Sequence, residues 1–316
     1  MPAVVRRLAH VPRWCLAVLP ALLALGLLVG CGGSSGGSDA SGRITAIGAE
    51  NEYANVIEQV GGKYVTVSAI ESNPNTDPHT FEASPSVAQE VSQAKLIVQN
   101  GVGYDTYMEK IESASGSSGR KIINVQKLLG LPDSTPNPHL WYKPTTMPAV
   151  AAALASDLSK LQPAHASYFQ ANARAFVSSL QPWLTALRRF SERFPGTTVA
   201  TTEPVGDYML EAAGTKNLTP FSMQADIMNG TDPSPQDVTL QNALFADHRV
   251  KAFVYNQQVT DSVTEGFLKE AAHAGVPVVG VYETMPTPGY DYQSWMMAEL
   301  HALERAVADK TSTEKL

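Results

Sequence analysis

The sequence predicts an α/β protein of two lobes, each a mainly parallel sheet flanked by helices, joined by a long connecting helix. Three observations carry this prediction: short β-branched runs alternate with helix-periodic segments in the first half, the alternation restarts near residue 196, and a helix-patterned stretch separates the halves. The length of 316 residues is about two domains' worth, and 44% hydrophobic with 17% charged residues excludes a disordered or fibrous chain.

The first lobe is expected over residues 43–162. A buried strand at 44–48 leads to a helix capped by Asn51, whose apolar positions Tyr53, Val56, Ile57 and Val60 follow helical spacing until Gly61-Gly62 stops it. Residues 64–70 alternate as a strand, and a polar loop at 71–80 leads to a helix beginning near Ser84-Pro85. A strand at 95–100, a helix near 104–113 and a strand at 121–125 complete the lobe. The connecting helix is expected over 163–195, with Phe169, Phe176, Leu180, Leu184, Leu187 and Phe190 on one face and a kink or break at Pro182. The second lobe, 196–316, repeats the scheme. Its strands fall at 197–202, 217–221, 250–255 and 276–282, and its helices at 205–213, 234–247, 261–274 and 290–308.

The N-terminus stands apart from the rest. Residues 1–30 hold Arg6, Arg7 and Arg13 with no acidic residue, then an apolar run of about 15 residues, shorter than the roughly 20 a spanning helix needs. This pattern is that of a secretory signal peptide, with Sec export favoured over the twin-arginine route despite the Arg6-Arg7 pair. The run ends in Leu28-Val29-Gly30-Cys31, which resembles the bacterial lipoprotein box, so Cys31 is the expected lipidation site and residues 31–42 a flexible Gly/Ser tether.

Processing changes the accounting. Without the signal, Lys+Arg falls from 23 to 20 against 30 acidic residues, and the net charge deepens from −7 to −10. Cys15 departs with the signal and Cys31 carries lipid, so no thiol remains for a disulfide, a thiolate metal site or a nucleophile. An acidic chain without a basic block excludes phosphate-neutralising nucleic-acid binding and suits a small cation.

Two lobes of this class leave a crevice at the carboxyl ends of their strands, where ligands bind. Asp77-Pro78-His79-Thr80-Phe81 and Asn137-Pro138-His139-Leu140-Trp141 share one pattern 60 residues apart, each presenting a histidine from a proline-stiffened loop. His165, His248, His273 and His301 lack this setting and are expected on solvated helical faces. Glu203 and Glu283 each end a second-lobe strand before a proline-bearing loop and face the expected crevice.

The segments 75–85, 137–142, 202–209 and 275–284 together resemble the cluster A-I solute-binding proteins of zinc and manganese ABC transporters, in order and spacing, across essentially the whole mature chain. The resemblance implies one divalent metal held between the lobes by His79, His139, Glu203 and Glu283. Glu203 matches a position that is His or Glu in the family, and Glu283 one that is more often Asp; Asp291 and Asp226 are the next candidates should Glu283 not serve. Two imidazoles and two carboxylates balance a divalent ion. Imidazole suits Zn²⁺ and carboxylate the harder Mn²⁺, and the set also admits Fe²⁺. Asp77, Glu82 or a backbone carbonyl is expected to orient His79 through its second ring nitrogen.

The implied protein is a bacterial extracytoplasmic receptor, not an enzyme. It would be anchored to the cell membrane by lipid, monomeric, and would deliver its ion to a membrane permease driven by a cytoplasmic ATPase, with no nucleic-acid partner. The alternatives are a zinc-dependent hydrolase, and a binder of a metal chelate or surface adhesin on the same fold. The hydrolase lacks a H-E-x-x-H helix, a Gly-x-Ser-x-Gly elbow and a Gly-rich phosphate loop to support it. The chelate binder would need a wide cleft lined by aromatics or arginines.

Overall fold

Two four-stranded sheets, both wholly parallel, organise the chain in the computed structural model, which describes residues 42–116 and 119–316. The expected signal peptide, the lipidation at Cys31 and nearly all of the tether lie outside the described residues. In the first half the elements are β1 (Ile44–Glu50), α1 (Asn51–Gly61), β2 (Val65–Glu71), α2 (Pro85–Gln93), β3 (Leu96–Gln99), α3 (Thr106–Ala114), β4 (Lys121–Asn124), α4 (Val125–Leu128) and α5 (Thr146–Leu161). Helices α6 (Ala166–Ser179) and α7 (Gln181–Arg193) follow. The second half contains β5 (Thr198–Thr201), α8 (Asp207–Ala212), β6 (Lys216–Asn217), α9 (Phe221–Met228), α10 (Pro235–Ala246), β7 (Ala252–Asn256), α11 (Ser262–His273), β8 (Val278–Val281) and α12 (Tyr292–Asp309).

The sheets have the same strand order, β2-β1-β3-β4 and β6-β5-β7-β8. Each order reverses direction between its two central strands, and such a switch point opens a crevice at the carboxyl ends. The central strands read as short apolar runs because helices cover both faces: β3 and β7 are buried along their whole length.

One apolar core runs from the first sheet through α6, α7 and α12 to the second sheet. Its largest buried members include Tyr53, Trp141, Tyr142, Trp183, Tyr292 and Trp295. Smaller cores fill the remaining faces, around Ile47, Ile97 and Met108 in the first lobe and Phe245, Phe253 and Phe267 in the second. Burying one such side chain is worth about 1.5–3 kcal/mol. A continuous core joining the lobes therefore opposes any wide swing between them.

Several expectations are corrected in detail. The connector is two helices parted at Leu180, with Pro182 in the first turn of α7, where its missing N–H leaves no intrahelical bond unmade. The strand expected at 217–221 ends at Asn217, and Phe221 instead begins α9. Asn51 does not cap α1; it is the first helical residue, and its side chain reaches the backbone of Met285 in the second lobe, donating to the Met285 carbonyl at 2.8 Å and accepting its N–H at 2.9 Å. His165 stacks on Tyr64 at 3.7 Å between ring centres, and His248 occupies a turn at φ 51°, so neither lies on a solvated helical face. His273 and His301 do sit exposed on α11 and α12.

Candidate metal centre

All four expected residues stand beyond the carboxyl ends of strands. His79 follows β2 in a short 3₁₀ turn, Pro78–Thr80, which Asp77 caps by accepting the His79 backbone N–H at 2.8 Å. His139 follows β4 and α4, while Glu203 and Glu283 each lie two residues past β5 and β8. His139 and Glu283 are fully buried, Glu203 is 3% exposed, and the His79 side chain is 22% exposed.

Asn137 fixes the chemistry of His139. Its Nδ2 donates to the Pro204 carbonyl at 2.7 Å, so Oδ1 must face His139, where it accepts both the backbone N–H at 3.0 Å and the ring Nδ1–H at 2.8 Å. The proton on Nδ1 leaves Nε2 with a free lone pair, and that atom lies 3.1 Å from Oε2 of Glu283. His79 Nε2 lies 3.1 Å from the same oxygen, and the donor atoms of all three residues fall within 4.8 Å of one another. Tyr104 donates its hydroxyl to this oxygen at 3.0 Å.

Glu203 stands one amide away from the cluster. Asn256, at the end of β7, donates from Nδ2 to Oε2 of Glu203 and, at 2.7 Å, to Oε1 of Glu283. The other Glu203 oxygen, Oε1, is buried without a hydrogen-bond partner. The structure thus brings His79, His139 and Glu283 together and holds Glu203 beside them through Asn256.

The ionisation states follow from burial and neighbours. Burial would raise Glu283, but the charged His79 imidazole outweighs it and holds the carboxyl far below its ordinary range. Burial would lower His79, yet the Glu283 carboxylate pushes it up to about 9. For His139 burial prevails and the imidazole is lowered. Glu203 is raised well above the ordinary carboxylate value, first by burial and then by Glu283. At neutral pH the site therefore holds the Glu283 carboxylate beside a His79 imidazolium and a neutral His139 imidazole, while burial and Glu283 both favour the protonated form of Glu203.

Some expectations about supporting residues change. Asp77 takes the backbone N–H of His79 rather than a ring nitrogen, and Glu82 is exposed. Asp291 caps α12 through a reciprocal bond pair with Ser294, and Asp226 lies within α9, so neither belongs to the cluster. Tyr104, Asn137 and Asn256 were not singled out by sequence reasoning. Asn256 ends β7 just as Glu203 and Glu283 follow β5 and β8, so the strand-end criterion would have found it had it been extended to amides.

A family model described as zinc-uptake complex component A, periplasmic, matches residues 49–306. The chain belongs to this family. The zinc-binding protein TroA of Treponema pallidum is 22% identical over 271 residues, covering 82% of this chain and 85% of TroA. The solved structure of TroA superposes with a TM-score of 0.71 at 19% identity, over 85% of this chain and all of that one, a likeness of fold. The iron-binding protein YfeA of Yersinia pestis is 21% identical over 266 residues, covering 80% of this chain and 83% of YfeA. The manganese-binding lipoprotein MntA of Bacillus subtilis is 26% identical over 166 residues, 51% of this chain, which spans about half (54%) of that relative. Family membership and the two-lobed parallel fold thus agree with the resemblance found in the motifs, and the family is one of metal-binding transport receptors.

Proposed function

We propose that the protein is an extracytoplasmic receptor that captures a divalent transition metal, Zn²⁺ or Mn²⁺ with Fe²⁺ also accepted, and hands it to the permease of an ATP-driven importer. The supporting observation is the meeting of His139 Nε2 and Glu283 Oε2 at 3.1 Å. With the proton fixed on Nδ1, two lone pairs face each other in a buried site, and a shared cation satisfies both. His79 supplies the third donor, and Glu203, once released from Asn256, the fourth. Two imidazoles and two carboxylates around a divalent ion leave no net charge to bury. Relatives named for binding manganese, zinc and iron are consistent with a donor set intermediate between soft and hard.

The protein is lipid-anchored through Cys31 and acts as a monomer in this reading. No helix among the described residues is long and apolar enough to cross a membrane. The relative named a manganese-binding lipoprotein favours the anchor. Metal analysis of the purified protein, with thermal unfolding in Zn²⁺, Mn²⁺ and Fe²⁺, tests the reading. One of these ions should raise the melting temperature of wild type, and His79→Ala and Glu283→Ala should abolish most of the rise. No rise in wild type would overturn the receptor assignment.

A further inference from the structure

The histidine and carboxylate that approach each other across the cleft come from separate loops, and one buried amide holds both. Gln258, two residues past β7 and 6% exposed, accepts at Oε1 from the backbone N–H groups of Glu283 at 2.7 Å and Thr284 at 2.8 Å. Two N–H donors on that oxygen fix the amide orientation, so Nε2 must point the other way. There it donates to the Thr76 carbonyl at 2.8 Å and to Thr284 Oγ1 at 3.1 Å. The Gln258 backbone N–H is itself held at 3.0 Å by Oδ1 of Asn256. Every polar atom of the side chain is committed.

Thr76 belongs to the loop that carries His79, three residues away. Asn73, Asn75 and Thr76 in that loop are exposed, and the Asp77 cap ties the loop only to itself. Among the described residues, the hydrogen bonds from the 72–80 loop to the second lobe are those of His79 with Glu283 and of Gln258 with Thr76.

We propose that Gln258 is a positioning residue that sets the separation of His79 from Glu283, by docking the His79 loop onto the same side chain that fixes the Glu283 backbone. The inference rests on the metal-site reading above. Ordering a surface loop costs conformational entropy, and a site that orders it before the ion arrives binds more tightly. Releasing the loop at this amide would withdraw His79 from the ion while Asn137, bonded to Pro204, held His139 in place, so release would begin at His79.

The substitution Gln258→Glu separates the two jobs. An ionised carboxylate still accepts from Glu283 and Thr284 but cannot donate to the Thr76 carbonyl, whereas a protonated one would donate there as the amide does, so Gln258→Met is measured beside it. Zn²⁺ affinity, measured by competition with a chromophoric chelator, is compared in wild type, Gln258→Glu, His79→Ala and the double variant. Loss of a supporting contact of this kind costs about tenfold or more in metal affinity. The expected result is a loss of about tenfold from Gln258→Glu in wild type and less than about twofold in the His79→Ala background, since residues acting through one another are not additive. The added charge acts on the His79 imidazolium in the wild-type background alone, so the neutral Gln258→Met decides whether the coupling comes from the lost donor. Equal losses in both backgrounds would overturn the inference and leave the metal site standing, whereas undiminished affinity in His79→Ala alone would overturn the metal site itself. Gln258→Met, which adds no charge, should give coupling of the same sign and covers the case in which the glutamate variant fails to fold.

Discussion

Lowering the pH should expel the metal by competition at two named groups, His79 and Glu203. In the metal-free protein at pH 7 the Glu283 carboxylate and the His79 imidazolium cancel, His139 is neutral, and burial favours a proton on Glu203. With the ion bound, two carboxylates offset its two charges. Release of both protons on binding exchanges them for one divalent ion with no change in site charge, which suits a pocket in which His139 and Glu283 have no exposure to water. With His79 at about 9, its proton alone weakens apparent affinity at pH 7 by about 100-fold relative to a deprotonated site. A proton on Glu203, which burial favours, steepens the fall of affinity with decreasing pH beyond what His79 alone gives. Calorimetric Zn²⁺ titrations at pH 7 in buffers of differing ionisation enthalpy count the released protons directly. The expected count is above one for wild type and about one for Glu203→Gln. A count near zero for wild type would refute the assigned ionisation states, and an unchanged count in Glu203→Gln would remove Glu203 from the ligand set.

The remaining predictions concern the metal-free fold. Burial raises Glu71 and Glu299 from an ordinary value of 4.5 to about 8, and raises Glu50 and Glu52 well above theirs. Between pH 4.5 and 8 the folded state then binds more protons than the unfolded one, so stability should decline as pH rises, by about 1.4 kcal/mol per unit for each fully shifted group. His79 acts in the same direction, its contribution being complete below its ordinary value and lost as pH rises through about 9, whereas Glu283 contributes above the ordinary carboxylate range and is lost in acid. Urea midpoints of the metal-free protein should therefore be higher near pH 5 than at pH 8, and Glu299→Gln should make the decline shallower; a flat profile would contradict burial of these groups as acids. Asn256→Ala removes the donor shared by Glu203 and Glu283 and should destabilise the metal-free protein by about 1–3 kcal/mol, read from the same denaturation; an unchanged midpoint would mean the two carboxyl groups do not depend on that amide.

Much of the fold was legible because its signals are local. Alternating apolar runs, Ser84 before Pro85 and Asp261 before α11 mark elements from a few neighbouring residues, and the structure uses both Ser84 and Asp261 as caps. The omitted helices α5 and α9 show where that reading thins. Helix α5 is alanine-rich, and α9 begins at Phe221, only four residues after the two-residue strand β6 and inside the stretch expected as strand. The site was legible through its loop motifs, since the paired Pro-His segments and strand-end glutamates sit in short stretches of sequence.

Its supporting amides were not legible. Asn51 looks like a helix cap from its neighbours and becomes a bridge to Met285, 234 residues away. His139 and Glu283 meet across 144 residues, and Gln258 reaches Thr76 across 182. The sequence by itself determined the two-sheet parallel class and the family, and it named four candidate residues for a cation, because periodicity, turn chemistry and motif spacing are written along the chain. Only the tertiary structure decided that Asn256 stands between the two glutamates, which histidine is protonated, and which amide joins the two halves of the site. Those outcomes depend on burial and on atoms meeting within about 3 Å across the cleft, distances that no one-dimensional pattern encodes.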